Sequence, residues 1–145
     1  MKIGKHFTLE ELTRSQAASR QGVDNTPNND QLDALKALVR NVLDPLREAI
    51  GRPVNVSSGF RNEAVNRLVG GSKTSQHRFG EAADINVPGM SVTEVIAKIK
   101  ELKLPFDQVI DEFGSWVHVS YGPRQRRQAL KARRDSAGKT VYTNL

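Results

Sequence analysis

The stretch Ser75-Gln76-His77-Arg78-Phe79-Gly80-Glu81-Ala82-Ala83-Asp84 places a histidine and an aspartate seven residues apart. A glycine separates them, and Asp84 lies within an apolar, strand-like run from 82 to 87. This pattern predicts a loop that carries His77 and a strand that carries Asp84, so the two side chains approach one cation from different directions. An imidazole nitrogen and a carboxylate oxygen are both zinc ligands. The stretch therefore predicts two ligands of a metal site.

The third ligand is predicted in Trp116-Val117-His118-Val119-Ser120. Strict alternation places Trp116, His118 and Ser120 on one face of a strand and the valines on the other. Two histidines and one carboxylate leave a fourth position open for water, which distinguishes catalytic zinc from closed structural zinc. The residue pattern therefore predicts Zn²⁺ as cofactor and hydrolysis as the chemistry.

Composition limits the alternatives. The chain of 145 residues contains no cysteine, so a metal must be bound by histidine, aspartate or glutamate. Its length predicts a single domain spanning residues 1–145, and no run approaches the roughly 18 to 20 apolar residues of a membrane span. The first residues, 1–7, lack the apolar core of a secretory signal peptide. We therefore expect synthesis in the cytoplasm without a signal peptide, and action elsewhere only after release.

Basic charge is concentrated at the end of the chain. Residues 1–120 carry 15 Lys/Arg and 15 Asp/Glu, whereas the basic C-terminal segment 121–145 carries 7 and 1. Such a segment favours an anionic partner, and the alternative is an edge that only faces solvent. Its aromatics are few, Tyr121 and Tyr142, and stacking aromatics are what single-strand binders need. We therefore expect no specific nucleic-acid partner.

The pattern predicts helices alternating with short strands. Capping boxes at Thr8/Glu11 and Ser91/Glu94 begin two helices, and Asn62 caps a third. The predicted helices cover 8–15, 30–50, 63–68 and 92–102, the predicted strands cover 54–57, 82–87, 106–113 and 115–120, and residues 16–29 are predicted as loop. Pro45 is expected to kink the long helix or to start a new turn. A further hairpin is predicted around 136–138.

The turn between the last two predicted core strands decides which carboxylate faces His118. A three-residue loop 113–115 pairs Glu112 with Trp116 and places Glu112 on the face of His118. A two-residue loop would place Asp111 there instead. Gly114 at the centre favours Glu112, but spacing leaves both open as the general base.

Arg61 follows the predicted strand at a point where residues often face a substrate. Its guanidinium can pair bidentately with a carboxylate or stabilise an oxyanion. From spacing alone a surface salt bridge is the competing interpretation.

The motif Ser-x-His-x-x-Gly-x-Ala-x-Asp at 75–84, with Trp-x-His at 116–118, resembles the zinc D-alanyl-D-alanine carboxypeptidase family. This family is grouped with lysostaphin-type peptidases and the zinc-bearing domain of hedgehog proteins. The similarity includes His6-Phe7-Thr8, Ser57-Ser58-Gly59-Phe60-Arg61 and Gly70 to His77. The similarity covers most of the chain. The chain also resembles the short, single-domain members of the family that bacteriophages often encode. The resemblance implies an α+β fold with a small antiparallel sheet and flanking helices.

The resemblance also implies roles for individual residues. Zinc would be held by His77, Asp84 and His118, and the substrate would be a peptidoglycan stem peptide. Many members place the catalytic glutamate three residues before the last histidine, where this chain has Ser115. The resemblance therefore assigns the role of general base to Glu112, six residues before His118. It assigns stabilisation of the oxyanion to Arg61. The residues expected to contact substrate or orient a ligand are Ser75, Gln108 and Trp116.

Three functions follow as expectations. The first is a murein peptidase, a phage endolysin that cuts an L-alanyl-D-glutamate or D,D-bond in the cell wall. The second is a D-alanyl-D-alanine carboxypeptidase or dipeptidase of bacterial wall metabolism. The third is a zinc-bearing wall-binding or virion module without turnover. The basic segment would suit an anionic wall or outer-membrane surface, and a monomer is expected.

Overall fold

Six strands form one sheet in the computed structural model, which describes residues 1–145. They are β1 (Asn55–Ser58), β2 (Ala82–Asn86), β3 (Gln108–Glu112), β4 (Trp116–Ser120), β5 (Gln128–Arg134) and β6 (Thr140–Asn144). Their order across the sheet is β1-β2-β4-β3-β5-β6. The strands that carry Asp84 and His118 are therefore central neighbours.

Six helices accompany this sheet and confirm the predicted α+β class. They are α1 (Leu9–Thr13), α2 (Gln16–Gln21), α3 (Asn29–Leu38), α4 (Asp44–Ile50), α5 (Glu63–Leu68) and α6 (Val92–Glu101), with a 3-10 turn at Gln76–Phe79. None of these helices has the length and apolar character needed to cross a bilayer. The capping boxes of α1 and α6 and the Asn62 cap of α5 form as predicted.

The hydrophobic core lies between helices and one face of the sheet. Alternate residues of the strands point into it, including Ile85, Val109, Val117 and Val119, all at most 1% exposed. The helices contribute mainly leucine, valine and isoleucine, among them Leu35, Leu38, Val42, Leu46, Val95 and Ile99. The opposite face of the sheet is left free of core helices and can carry polar side chains.

The predicted long helix is continuous but changes its winding. A π-helical turn, Val39–Leu43, joins α3 to α4, and the Asp44 amide donates to the Val39 carbonyl. Pro45 follows in the first turn of α4, where its missing amide hydrogen costs least. Pro45 thus begins a new turn, which was one of the two predicted outcomes.

One helix was not predicted. Residues 16–29 were expected to be loop, but α2 occupies Gln16–Gln21. The Ser15 hydroxyl accepts a hydrogen bond from the Ala18 amide, and Gly22 ends the helix with φ 64°. Ala18 is its one buried residue, so the helix has no apolar periodicity that a pattern search could detect.

The sheet is antiparallel as expected except at one pair. β3 and β5 run parallel, with Glu112 opposite Ala132. β4 ends beside the start of β3, where the Asp107 amide donates to the Ser120 carbonyl at 2.7 Å. Residues 121–127 cross that end of β3, and the Gln128 amide donates to the Asp107 carbonyl at 3.0 Å. β5 therefore starts at the same end as β3 and must follow its direction.

The turn between β3 and β4 has the three-residue form that was favoured. Glu112 pairs with Trp116, and the Ser115 amide donates to the Glu112 carbonyl at 3.0 Å. Phe113 adopts a positive φ of 59° and packs edge-on against Trp116, with ring centroids 6.2 Å apart. This register places Glu112 and His118 on the same face of the sheet.

Candidate functional site

His77 lies on the 3-10 turn that immediately precedes β2. Its backbone amide donates to the Ser75 hydroxyl at 3.3 Å, so Ser75 caps this turn. Gly80 ends the turn with φ 73°, and a side chain there would collide with the Gln31 carbonyl of α3. The glycine between His77 and Asp84 is thus required for the chain to turn against α3 and enter β2.

The His77 ring is held by the backbone that follows β1. Its Nδ1 lies 2.7 Å from the Gly59 carbonyl oxygen, and because a carbonyl can only accept, Nδ1 carries the proton. Gly59 itself packs so closely on Leu12 that a Cβ would collide with the Leu12 carbonyl. In a neutral ring the lone pair is therefore on Nε2, which points toward Asp84.

Asp84 and His118 are direct partners on β2 and β4, so their side chains leave the same face of the sheet. His118 Nδ1 lies 3.1 Å from Asp84 Oδ1, and His77 Nε2 lies 3.3 Å from the same oxygen. One ligand atom from each of the three residues lies within 4.8 Å of the others. The structure thus brings together the three residues that the sequence selected.

The arrangement of donors fits a divalent cation. Two donors of a tetrahedral zinc site with bonds of about 2.0 to 2.1 Å lie about 3.3 Å apart, close to the separations from Asp84 Oδ1. Burial lowers the pKa of His77, which favours the neutral, ligand-competent imidazole. Its Nε2 lone pair then faces a carboxylate oxygen with no proton between them. A cation bound between these two electron-rich atoms would remove their mutual repulsion.

Asp84 remains ionised beside these rings. Burial raises the pKa of its carboxyl, but the hydrogen bond with His118 lowers it, and the net pKa lies below the ordinary value. One carboxylate and two imidazoles give a donor set that zinc accepts in proteins.

Glu112 lies on the same face, in the same cleft as the three donors. Burial raises the pKa of its carboxyl, and the charges of Asp84 and Asp111 act in the same direction. Asp111, the alternative base, points the other way: it is 7% exposed, and its Oδ1 accepts from the Gly114 amide at 2.8 Å. Asp111 therefore stabilises the turn, and Glu112 is the one of the two carboxylates that lines the cleft.

Arg61 lines the same cleft. Its backbone amide donates to the His77 carbonyl at 3.0 Å, which ties the two segments together. Its Nε is buried and has no hydrogen-bond partner, and burial lowers the pKa of the guanidinium. An arginine with an unsatisfied buried donor is suited to pair with an anionic group that enters from solvent.

The cleft has a volume of about 540 Å³ and is mostly polar. Ser75, Gln108 and Trp116 all line it as expected, although the Gln108 amide already donates to Gln128 Oε1 at 2.8 Å. Trp116 Nε1 is buried without a hydrogen-bond partner. These residues therefore have access to a ligand in the cleft.

Sequence reasoning missed the contribution of the basic C-terminal segment. Arg124, Arg126 and Tyr142 line the cleft beside the central residues. The available signal was the hairpin predicted around 136–138, which implied a strand containing Tyr142. The position of this hairpin beside β3 was not predictable, because it depends on the parallel pairing of β5 with β3.

A buried hydrogen-bond network was also missed. Asp107 is fully buried and receives bonds from Arg126 Nε and Nη2 and from Gln76 Nε2, each at 2.9 Å. Gln76 directly precedes His77. The network thus joins the segment after β4 to the turn that carries His77.

Comparison with known proteins agrees with the motif resemblance. The zinc D-Ala-D-Ala carboxypeptidase of Streptomyces albus G is 43% identical over 44 residues, which is 30% of this chain and 17% of that protein. The chain therefore matches only a small part of that relative's length. The model of the family described as peptidase M15 matches residues 5–120, a range that includes His77, Asp84, Glu112 and His118. The chain thus belongs to the peptidase M15 family.

Proposed function

We propose that this protein is a zinc-dependent peptidase that hydrolyses a peptide bond in the stem peptides of peptidoglycan. His77, Asp84 and His118 would hold the zinc ion. The single observation that carries this proposal is the convergence of these three donors within 4.8 Å, in one cleft with Glu112 and Arg61. The family match supports the reaction, and the name of the Streptomyces relative supports the metal and the substrate class.

The proposed mechanism divides the work between the metal and the side chains. Zinc bound in such a site supplies a Lewis acid that polarises a carbonyl and acidifies water. Glu112 accepts the proton of the attacking water and later donates it to the departing amine. Its raised pKa brings the carboxyl closer to the pH at which it must both accept and release a proton. Arg61 stabilises negative charge that develops on the carbonyl oxygen.

The charges of the cleft support a carboxylate-bearing substrate. Arg61, Arg124 and Arg126 lie along its walls, and the metal would add further positive charge. Peptides of the cell wall carry free carboxylates, which arginine binds through paired hydrogen bonds. A purely apolar peptide would find few complementary groups, because only Ile110, Trp116 and Tyr142 supply hydrophobic lining.

We further propose that the protein acts as a phage endolysin, cutting an L-alanyl-D-glutamate or a D,D-bond within the wall after release from the cytoplasm. This proposal rests on the resemblance to short phage-encoded peptidases. A D-alanyl-D-alanine carboxypeptidase is the second candidate, and one observation favours it: the unsatisfied guanidinium of Arg61 could grip a terminal carboxylate. A zinc-bearing module without turnover is disfavoured because Glu112 faces the donor set.

Digestion of purified peptidoglycan tests the proposal. Mass spectrometry of the released muropeptides identifies the bond that is cut and separates the endopeptidase from the carboxypeptidase. We expect Glu112→Gln to lower kcat by about 10²- to 10⁴-fold, the usual contribution of a general base. Glu101→Gln is the matched control, since Glu101 ends α6 with its side chain 70% exposed and does not line the cleft. Peptidoglycan left intact by zinc-loaded native protein, or equal activity of Glu112→Gln, would contradict the proposal.

A further inference from the structure

We propose that Tyr142 contacts the bound peptide beside Glu112, so that strand β6 forms part of the substrate-binding site. This inference rests on the proposed function and deepens it. It assigns to the basic C-terminal segment a role in recognising substrate, through a hydrogen bond from the phenol to a carbonyl or carboxylate oxygen of the peptide.

The register of the sheet carries this inference. Trp116 pairs with Glu112 on β3, Glu112 with Ala132 on β5, and Ala132 with Tyr142 on β6. Residues paired directly across strands share a face, so these four side chains form one row across the sheet. Tyr142 therefore points to the side on which the metal donors and Glu112 lie.

Ala132, which lies between Glu112 and Tyr142 in this row, leaves space for those two side chains to approach each other. Ala132 is fully buried, and its side chain is a single methyl group. A tyrosine on the next strand can extend over that methyl group toward Glu112. In agreement, Tyr142 and Glu112 line the same cleft, and Tyr142 remains 54% exposed.

The strand that carries Tyr142 is firmly attached to the central sheet. β5 pairs with β3 over five residues and with β6 over five. The Phe113 amide donates to the Ala132 carbonyl at 3.2 Å, and the Arg134 guanidinium lies 4.8 Å from the centroid of the Phe113 ring. The hairpin is thus tied to the turn that follows Glu112, which fixes the two side chains relative to each other.

The chemistry of the phenol suits a donor. Burial raises the pKa of Tyr142, and the negative charge of Glu112 acts in the same direction. The hydroxyl therefore keeps its proton at neutral pH and can donate it to an oxygen of the peptide. Tyr142 also lies outside residues 5–120, the range that matches the family model. The contact is thus supplied by a segment that the family match does not include.

Binding of a purified muropeptide with an intact stem peptide tests the inference. The chain has one tryptophan, Trp116, at the end of the same row, so its fluorescence reports occupancy of the cleft. Titrations in the zinc-loaded Glu112→Gln background, which slows turnover, compare Tyr142 with Tyr142→Phe. We expect removal of the hydroxyl to weaken binding by about three- to tenfold, the usual effect of losing one hydrogen bond.

Thr143→Ala is the matched control, because Thr143 is the next residue of β6 and points to the opposite face. It should bind the muropeptide as the parent protein does. Kinetics in the native background provide a second readout, in which Tyr142→Phe should lower kcat/KM by a similar factor while thermal stability is unchanged. Equal affinity and equal kcat/KM for Tyr142→Phe and its parent would overturn the inference alone. Failure of the parent protein to bind or cleave any muropeptide would overturn the proposed function as well.

Discussion

At the scale of single residues, one hydrogen bond to the backbone orients the ring of His77. The Gly59 carbonyl accepts the Nδ1 proton of His77 at 2.7 Å and so directs Nε2 toward Asp84. An outer hydrogen bond of this kind fixes both the tautomer and the orientation of a ligating imidazole. The same bond thus presents the Nε2 lone pair of His77 on the side of Asp84.

Replacement of His118 by alanine should abolish stoichiometric zinc binding. The two remaining donors cannot form the three-ligand site. Loss of a residue that only hydrogen-bonds a ligand lowers metal affinity by up to about 100-fold, so we expect loss of a ligand itself to lower zinc affinity by more than this. Elemental analysis after dialysis measures the bound zinc. His6→Ala is the control, because His6 lies elsewhere, with Nε2 3.4 Å from Glu48 Oε1. Equal zinc content in the two variants would contradict the assigned donor set.

Replacement of Arg61 by lysine should lower kcat/KM although the charge is kept. A lysine supplies a point charge and lacks the planar pair of donors, so we expect a loss of about 10- to 100-fold, as for one hydrogen bond to a charged group. Steady-state kinetics on a muropeptide measures this loss. Arg67→Lys, on the exposed side of α5, should leave the rate unchanged. A fully active Arg61→Lys would assign Arg61 a purely structural role.

Among these residues, sequence reasoning identified those with strong local signals. His77, Asp84 and His118 were selected by residue type, spacing and strand alternation. The turn favoured Glu112 but left Asp111 open, and the family resemblance gave Glu112 the base role. The hydrogen-bonding role of Gln76 could not be predicted from the sequence, because its partner Asp107 is 31 residues away and meets it only in the folded protein. The burial of Asp111 also went unpredicted: it was considered only as an alternative base, yet it is 7% exposed and its Oδ1 accepts from the Gly114 amide.

At the scale of secondary-structure elements, Asp107 connects three segments. It directly precedes β3. Its carboxylate joins Gln76, the first residue of the turn that carries His77, to Arg126, which lies shortly before β5. Chiefly because of the hydrogen bonds from Arg126, the pKa of Asp107 is lowered from 3.8 to about 2. A shift of this size corresponds to about 2 kcal/mol of stability.

Asp107→Asn should therefore destabilise the protein by about 2 kcal/mol at neutral pH. Because the folded-state pKa is depressed, this stability is complete above the unfolded pKa near 3.8 and is lost as pH falls through about 2. Asparagine resembles the protonated acid, so the difference between native and variant protein should close over that interval. Urea unfolding at several pH values measures it. A difference that stays constant down to pH 2 would show that the carboxylate charge is not responsible.

Elements with a strong periodic pattern were predictable, whereas those defined by long-range pairing were not. The helices α1, α5 and α6 were predicted from their caps and apolar spacing. α2 lacks such spacing and was missed. The hairpin of β5 and β6 was predicted, but its parallel pairing with β3 follows from where residues 121–127 cross the sheet. No local pattern encodes that crossing.

At the scale of the whole molecule, the basic C-terminal segment presents two different faces. Tyr142 and Ala132 lie on the cleft side, whereas Lys131 and Arg133 are exposed on the alternate side of β5. The exposed cations are therefore free for an anionic surface while the cleft is occupied. Association of the segment with an anionic wall polymer stays a prediction.

Association with isolated cell walls should consequently weaken with salt. The Debye length falls from about 10 Å at 0.1 M salt to about 3 Å at 1 M, which screens exposed charges. In a co-sedimentation assay, we expect Lys131→Gln/Arg133→Gln to bind more weakly at low salt and to match native protein at high salt. Hydrolysis of a small soluble muropeptide should be unaffected. Native binding that is insensitive to salt would exclude this electrostatic role.

The placement of the three donors also has a consequence for how the chain acquires its metal during folding. Asp84 and His118 are 34 positions apart and meet only when β2 pairs with β4, while His77 depends on the backbone after β1. An unfolded chain thus offers scattered single ligands and no chelating cluster. Ion capture should therefore be a late event in refolding, and the bound ion would then resist unfolding by mass action.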